Sequence, residues 1–238
     1  MTDHVQDAAA VQEATDRLIA AVGKLDDAAV RAPSRLPGWS RGHVLAHLAR
    51  NADALVNVLT AARTGTRIPM YASAEVRGAD IERDADRPVA AHIEDLLAST
   101  ERFNTAAAAL HPEAWQRTVE LRNGVTDRAD RVLFRRLVEI ELHHVDLGIG
   151  CEVEDLPASF VDRDLDYVAG ERFAGRSDVP ALLLTADDGR SWRTGRDGAE
   201  PTAVSGSAAA LLGWLTGRAD GARLDTGGSA VPALPPLG

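Results

Sequence analysis

Apolar side chains return every three or four residues along most of the chain before Gly150, the spacing of helices that bury one face. A first helix is predicted over Val5 to Leu25, with Ala8, Val11, Leu18, Ile19 and Val22 on its buried side. A loop punctuated by Pro33 and Pro37 follows. Ser40 is a natural N-cap for a second helix, which runs through Val44, Leu45, Leu48, Leu55, Val56 and Leu59 to about Arg63 and stops at Gly65. The long connection from Thr64 to Pro88 reads as an ordered loop lining something, or as a short extra helix from Ser73 to Arg83. A third helix spans Val89 to Leu110, with Ile93, Leu96, Leu97 and Phe103 inward, and His111-Pro112 ends it. Trp115 to Gly124 is extended or a short hairpin, and a fourth helix starts near Asp127 and closes at Gly148 and Gly150.

Past Glu152 the pattern changes. Leu156 to Phe173 is still helical, but the period then shortens to that of strands: Val179 to Ala186, Ser191 to Thr194 after an Asp-Asp-Gly-Arg turn, and Thr202 to Ser205. A short helix over Ser207 to Thr216, a last strand over Ala222 to Thr226 and a proline-rich tail complete the chain. The expected fold class is α+β: a four-helix bundle over residues 1–154, then a small α/β domain over residues 155–238.

Composition narrows the function. A net charge of −10 argues against nucleic acid or an anionic membrane as the main partner. The single Cys151 excludes an intramolecular disulfide and fits a reducing cytoplasm. No positively charged segment followed by an apolar core opens the sequence, so a signal peptide is not expected, and no apolar run reaches about 18 residues, so a membrane span is not expected. A monomer or weak homo-oligomer is expected.

The polar residues of the fourth helix carry the candidate chemistry. Arg135, Glu139, His143 and Asp146 fall on one stripe of an otherwise apolar element. A carboxylate and an imidazole one turn apart can bind one ion, or can form an ordinary solvent-facing contact. On the second helix His43, His47, Arg50 and Asn51 share one face. Bundle cores recurrently hold metals between facing helices, and His47 with Glu139 and His143 makes two imidazoles and one carboxylate. Three protein ligands leave a position open, as catalytic zinc requires; with one cysteine, a closed structural zinc site is not expected.

Several stretches together resemble the mycothiol-dependent maleylpyruvate isomerase family. They are Leu36-Pro37-Gly38-Trp39-Ser40-Arg41-Gly42-His43 with Ala46-His47-Leu48; Pro69-Met70-Tyr71-Ala72-Ser73 with Glu75-Val76-Arg77; Glu139 with His143-His144-Val145-Asp146; and Val204-Ser205-Gly206-Ser207 with Gly217-Arg218-Ala219-Asp220-Gly221. The resemblance implies a DinB-like bundle in the N-terminal part and Zn2+ held by His47, Glu139 and His143. It implies mycothiol as the thiol cofactor, Arg218 as a C-terminal catalytic arginine, and isomerisation of maleylpyruvate to fumarylpyruvate in gentisate degradation.

That reaction suits these residues. Rotation about a C=C bond needs temporary single-bond character, which reversible thiolate addition supplies. The chain offers no cysteine at the proposed site, so the thiol comes from a cofactor. Arg218 and Arg77 are cations for the substrate carboxylates, with Tyr71 beside them as a substrate-binding residue. Asp146 or His144 is a candidate to orient a ligand histidine. His43 is expected as a structural neighbour, His144 as a core residue, Glu141 as a surface or inter-helix partner, and the four tryptophans as packing. The alternatives are a mycothiol S-transferase acting on another electrophile, and a non-catalytic binding module.

Overall fold

The computed structural model describes residues 4–196 and 198–237, and its contacts divide the chain into two units, 1–149 and 150–238. The N-terminal unit is built on α1 (His4–Val22), α3 (Arg41–Thr64), α5 (Val89–Ala108) and α6 (Val132–Asp146), with a short α2 (Asp27–Arg31) in the loop after α1 and α4 (Ala74–Ala85) inside the long connection. α3 is the central helix: it packs on α4, α5 and α6, and α1 packs on α6 and α5. Its local signals are strong at both ends. The Ser40 side chain accepts from the His43 backbone N–H while the His43 ring accepts from the Ser40 backbone, a closed capping box. Gly65 ends it in the left-handed conformation (φ 72°).

α4 approaches α3 closely enough that a Cβ on Gly42 would lie 2.0 Å from the Ala85 carbonyl oxygen. An ion cluster completes the attachment. Asp84, on α4, is buried and receives Arg50 from α3 at 3.2 Å, Arg83 at 2.8 Å and Arg87 at 2.6 Å. Arg50 also reaches Asp95 of α5 at 2.6 Å. α6 is locked against α1 by Arg17 and the buried Glu141, 2.5 Å apart. Glu141 is thus an inter-helix partner, as the sequence allowed, and His144 is buried on the same side of α6. The segment before α6 is an antiparallel pair, β1 (Thr118–Glu120) and β2 (Thr126–Arg128), with Thr118 opposite Arg128.

The C-terminal unit begins with α7 (Ala158–Tyr167), which widens into one π-helical turn over Val168–Arg172. Three strands follow, β3 (Leu182–Ala186), β4 (Ser191–Thr194) and β5 (Thr202–Gly206), ordered β4-β3-β5. β3 is antiparallel to β4, with Leu182 opposite Thr194, and parallel to β5, with Leu182 opposite Thr202. α8 (Ala208–Leu215) starts at the Ser207 cap and packs on α7. The strand expected over Ala222 to Thr226 is reduced to a single bridge between Ser205 and Asp225, because residues around Gly221 turn to pass Trp214. The fold class expected from the sequence, α+β with a helical bundle first, is the one observed.

Candidate metal centre

α3 and α6 run in opposite directions along the core. His47 meets Glu139 and His143, while Leu48 and Asn51, further along α3, meet Arg136, further back on α6. The three atoms His47 Nε2, Glu139 Oε2 and His143 Nε2 form a triangle with sides of 3.0, 3.1 and 3.3 Å. Tetrahedral ligands about 2.0–2.1 Å from a zinc ion stand roughly 3.3 Å apart, so this triangle has the dimensions of one face of such a site. No other group of three metal-binding side chains converges this way among the described residues.

Electrostatics separate the two imidazoles. Burial lowers the His47 pKa to about 4, more than the Glu139 carboxylate restores, so this ring is neutral at ordinary pH. Burial acts the same way on His143, but Asp146 and Glu139 outweigh it and raise the value. Glu139 also resists ionisation through burial, and hydrogen bonds from both imidazoles overcome this and hold it well below the usual carboxylate range.

Beyond the triangle, His143 Nδ1 lies 2.8 Å from Asp146 Oδ2. With an ion in place, donation to that carboxylate would leave the Nε2 lone pair free for the metal, the arrangement typical of metal-binding histidines. His47 differs: its Nδ1 accepts from Arg77 Nη2 at 3.1 Å. An ion on His47 Nε2 requires the tautomer protonated at Nδ1, and therefore requires Arg77 to turn away. Arg77 is suited to do so. Its guanidinium lies 5.6 Å from the centre of the Tyr71 ring, and its buried Nε has no partner among the described residues. Burial raises the Tyr71 pKa, so its hydroxyl stays protonated beside this cation.

The donor set fits a divalent metal: two imidazoles, one anionic oxygen and one carboxylate supporting a ligand. The observation that decides the lineage is sequence-wide. The family model described as the mycothiol maleylpyruvate isomerase N-terminal domain matches residues 11–148. The chain belongs to the mycothiol maleylpyruvate isomerase family. The MDMPI C-terminal domain matches residues 155–236. Among solved structures, the chain is similar to a mycothiol-dependent maleylpyruvate isomerase, with 26% identity and a TM-score of 0.90 over 98% of this chain and 97% of that one. It is similar to a histidine-to-alanine mutant of a mycothiol-dependent maleylpyruvate isomerase to the same extent, with 25% identity and a TM-score of 0.90. A search of curated proteins returned no match.

Within this family member, the fold brings His47, Glu139 and His143 together, with Arg77 and Tyr71 beside His47. Arg218 stands in the C-terminal unit just after α8, where its Nη1 donates to the Thr216 carbonyl at 2.9 Å and its side chain lines a cavity of about 240 Å³ with Arg223 and Asp220. Arg135, placed on the ligand stripe by spacing alone, is drawn instead to Asp127 at 2.5 Å. His43 is the structural neighbour the sequence implied, bonded to Ser40 and 3.2 Å from Glu82. Two residues at the site were not singled out. Trp39, read as packing, is half-buried with its ring 5.7 Å from the His47 ring and edge-on to it. The Trp39, His43, His47 interval of four residues was its available signal. Arg136 was hidden in an apolar run.

Proposed function

We propose that this protein is a zinc- and mycothiol-dependent cis–trans isomerase that converts maleylpyruvate to fumarylpyruvate in gentisate degradation. The observation that carries the reading is the triangle of His47, Glu139 and His143 in a chain that belongs to this family over both of its parts. When bound, zinc supplies positive charge that favours the thiolate of mycothiol, whose reversible addition to the substrate double bond permits rotation before elimination. The residues of the chain do the rest. Two neutral imidazoles and one carboxylate offer a single negative charge, so the loaded centre keeps a net positive charge for anionic ligands. Asp146 fixes the orientation of His143. Arg77, released from His47 Nδ1, offers its guanidinium fork to a substrate carboxylate while Tyr71 holds its flank. Arg218 enters as the catalytic arginine on the strength of the family resemblance. The single, half-buried Cys151 supports a reducing, cytoplasmic setting, and none of the described helices is long and apolar enough to cross a membrane.

The test pairs metal analysis of purified protein with a maleylpyruvate absorbance assay, with and without mycothiol, on wild type, His47→Ala and Glu139→Ala. About one zinc per chain and thiol-dependent turnover, both lost in the variants, is the expected result. Zinc and thiol binding without maleylpyruvate turnover would replace the isomerase with a mycothiol S-transferase. A wild type that takes up no metal would refute the site.

A further inference from the structure

Arg136 is the largest fully buried side chain among the described residues, 1% exposed, and it lies one helical turn before Glu139 on α6. Its Nη1 donates to the Leu48 carbonyl at 2.8 Å and to Asn51 Oδ1 at 2.9 Å. Both acceptors are neutral. Its Nε has no partner, and no carboxylate lies within ion-pair distance of it among the described residues. The anions that act on it are Glu139, foremost, and Asp53, which is already held by Arg50 at 3.1 Å and Arg102 at 2.7 Å. Burial lowers its pKa to about 10, which still leaves it cationic at neutral pH.

A buried cation without a counter-ion is costly, and a neutral side chain of similar length would tie α6 to α3 at less cost. Strongly unfavourable burial of charge is found where the charge is used. The position of this one is specific. Leu48 and Asn51 follow His47 on α3 as Arg136 precedes Glu139 on α6, so the guanidinium sits one turn beneath the ligand triangle. We propose that Arg136 is a positioning residue of the metal centre: a fixed positive charge beneath His47, Glu139 and His143 that biases the centre toward anionic ligands, the thiolate of the cofactor first among them. The inference rests on the reading of the triangle as a divalent-metal site used by a thiol.

Such a charge has opposite effects on the two ligands. It repels the metal cation and attracts the thiolate. A residue that merely braces the helices affects both in the same direction when it is removed. Asn51→Asp is the cleanest perturbation, because it places a carboxylate on Arg136 and cancels its field while giving the buried cation an ion-pair partner. Arg136→Gln removes the charge and keeps a donor for Leu48. Both proteins, loaded with Co2+, are titrated with mycothiol across pH while the thiolate-to-metal absorption band is followed, and Co2+ affinity is measured separately by chelator competition.

The expected result for Asn51→Asp is that thiolate binding at a fixed pH weakens about 15–30-fold, as for a unit charge roughly 8–10 Å away at an effective dielectric near 20, while Co2+ binds as tightly as in wild type or more tightly. Arg136→Gln shifts both quantities in the same directions. A wild-type-like thiol titration in Asn51→Asp, or parallel weakening of Co2+ and thiolate, overturns the proposal, and failure of Arg136→Gln to fold leaves Asn51→Asp to decide. Wild-type protein that binds no Co2+ overturns the functional reading itself, whereas Co2+ and thiolate binding that ignore both substitutions overturn only the role of Arg136.

Discussion

Asp164 gives the sharpest quantitative test of the C-terminal unit. Its carboxyl, on α7, is fully buried, and neither oxygen has a hydrogen-bond partner among the described residues. Burial pushes its pKa from 3.8 up to about 7, and the Arg218 charge keeps it from going higher. The folded chain therefore keeps a proton that the unfolded chain releases near pH 4. Between roughly pH 4 and pH 7 the folded state binds more protons than the unfolded state, so stability falls as pH rises through that window and is level on either side. The interval from 3.8 to about 7, at about 1.4 kcal/mol per tenfold step, corresponds to about 4 kcal/mol, and local relaxation around the ionised group reduces this to about 2–4 kcal/mol.

Asp164→Asn keeps the shape and removes the ionisation. Its amide is no better partnered than the protonated acid, so the variant is expected to match wild type near pH 4. By pH 8 it is expected to be more stable by about 2–4 kcal/mol. Urea-dependent hydrogen exchange of α7 and α8, run at several pH values on the full chain, isolates this unit from the bundle. An advantage of Asp164→Asn that does not grow with pH, or a variant weaker than wild type at pH 8, would refute the assignment of a buried, protonated carboxyl.

Two further outcomes test the bundle. Asp146→Asn leaves the fold intact by circular dichroism but lowers metal affinity about 10–100-fold in chelator competition, because His143 loses the carboxylate that orients it; unchanged affinity would remove Asp146 from the site. Gly42→Ala drives a methyl into the Ala85 carbonyl and is expected to cost about 1–3 kcal/mol in urea unfolding, with KM for the anionic substrate rising more than kcat falls, since the displaced α4 carries Arg77; a stability equal to wild type would refute the close approach.

The helical half of the molecule was legible because its signals agree at several levels. In α3 the cap at Ser40, the apolar stripe and the stop at Gly65 all point to the same element. His47, Glu139 and His143 were readable as a candidate constellation because two helices each offered ligand types at a helical interval. Arg136 escaped notice because periodicity assigns a charged residue to the solvent side, whereas its long side chain reaches across to carbonyl and amide acceptors on α3. Arg135 misled for the complementary reason: spacing places it on the stripe, but Asp127, before the helix, captures it. In the C-terminal unit the short strands were found by their alternation, while the expected strand at Ala222 failed because a single bridge to Ser205 is all that the turn at Gly221 permits.

The way α4 is attached also bears on how Arg77 and the candidate ligands share one small bundle. The ligands stand on α3 and α6, whose apolar faces are deeply buried, so their geometry is set by core packing. Arg77 stands on α4, whose only buried residues are Ile81, Asp84 and Ala85. Few apolar side chains hold that helix, and the Gly42 contact and the arginines around Asp84 add to them. Arg83 and Arg87 are partly exposed, so much of that electrostatic attachment is screened and adjustable. Elements with few buried contacts lie at the low end of local stability. The guanidinium that would have to leave His47 for an ion to bind is therefore carried by a helix with few buried residues, and the candidate ligands by helices with many.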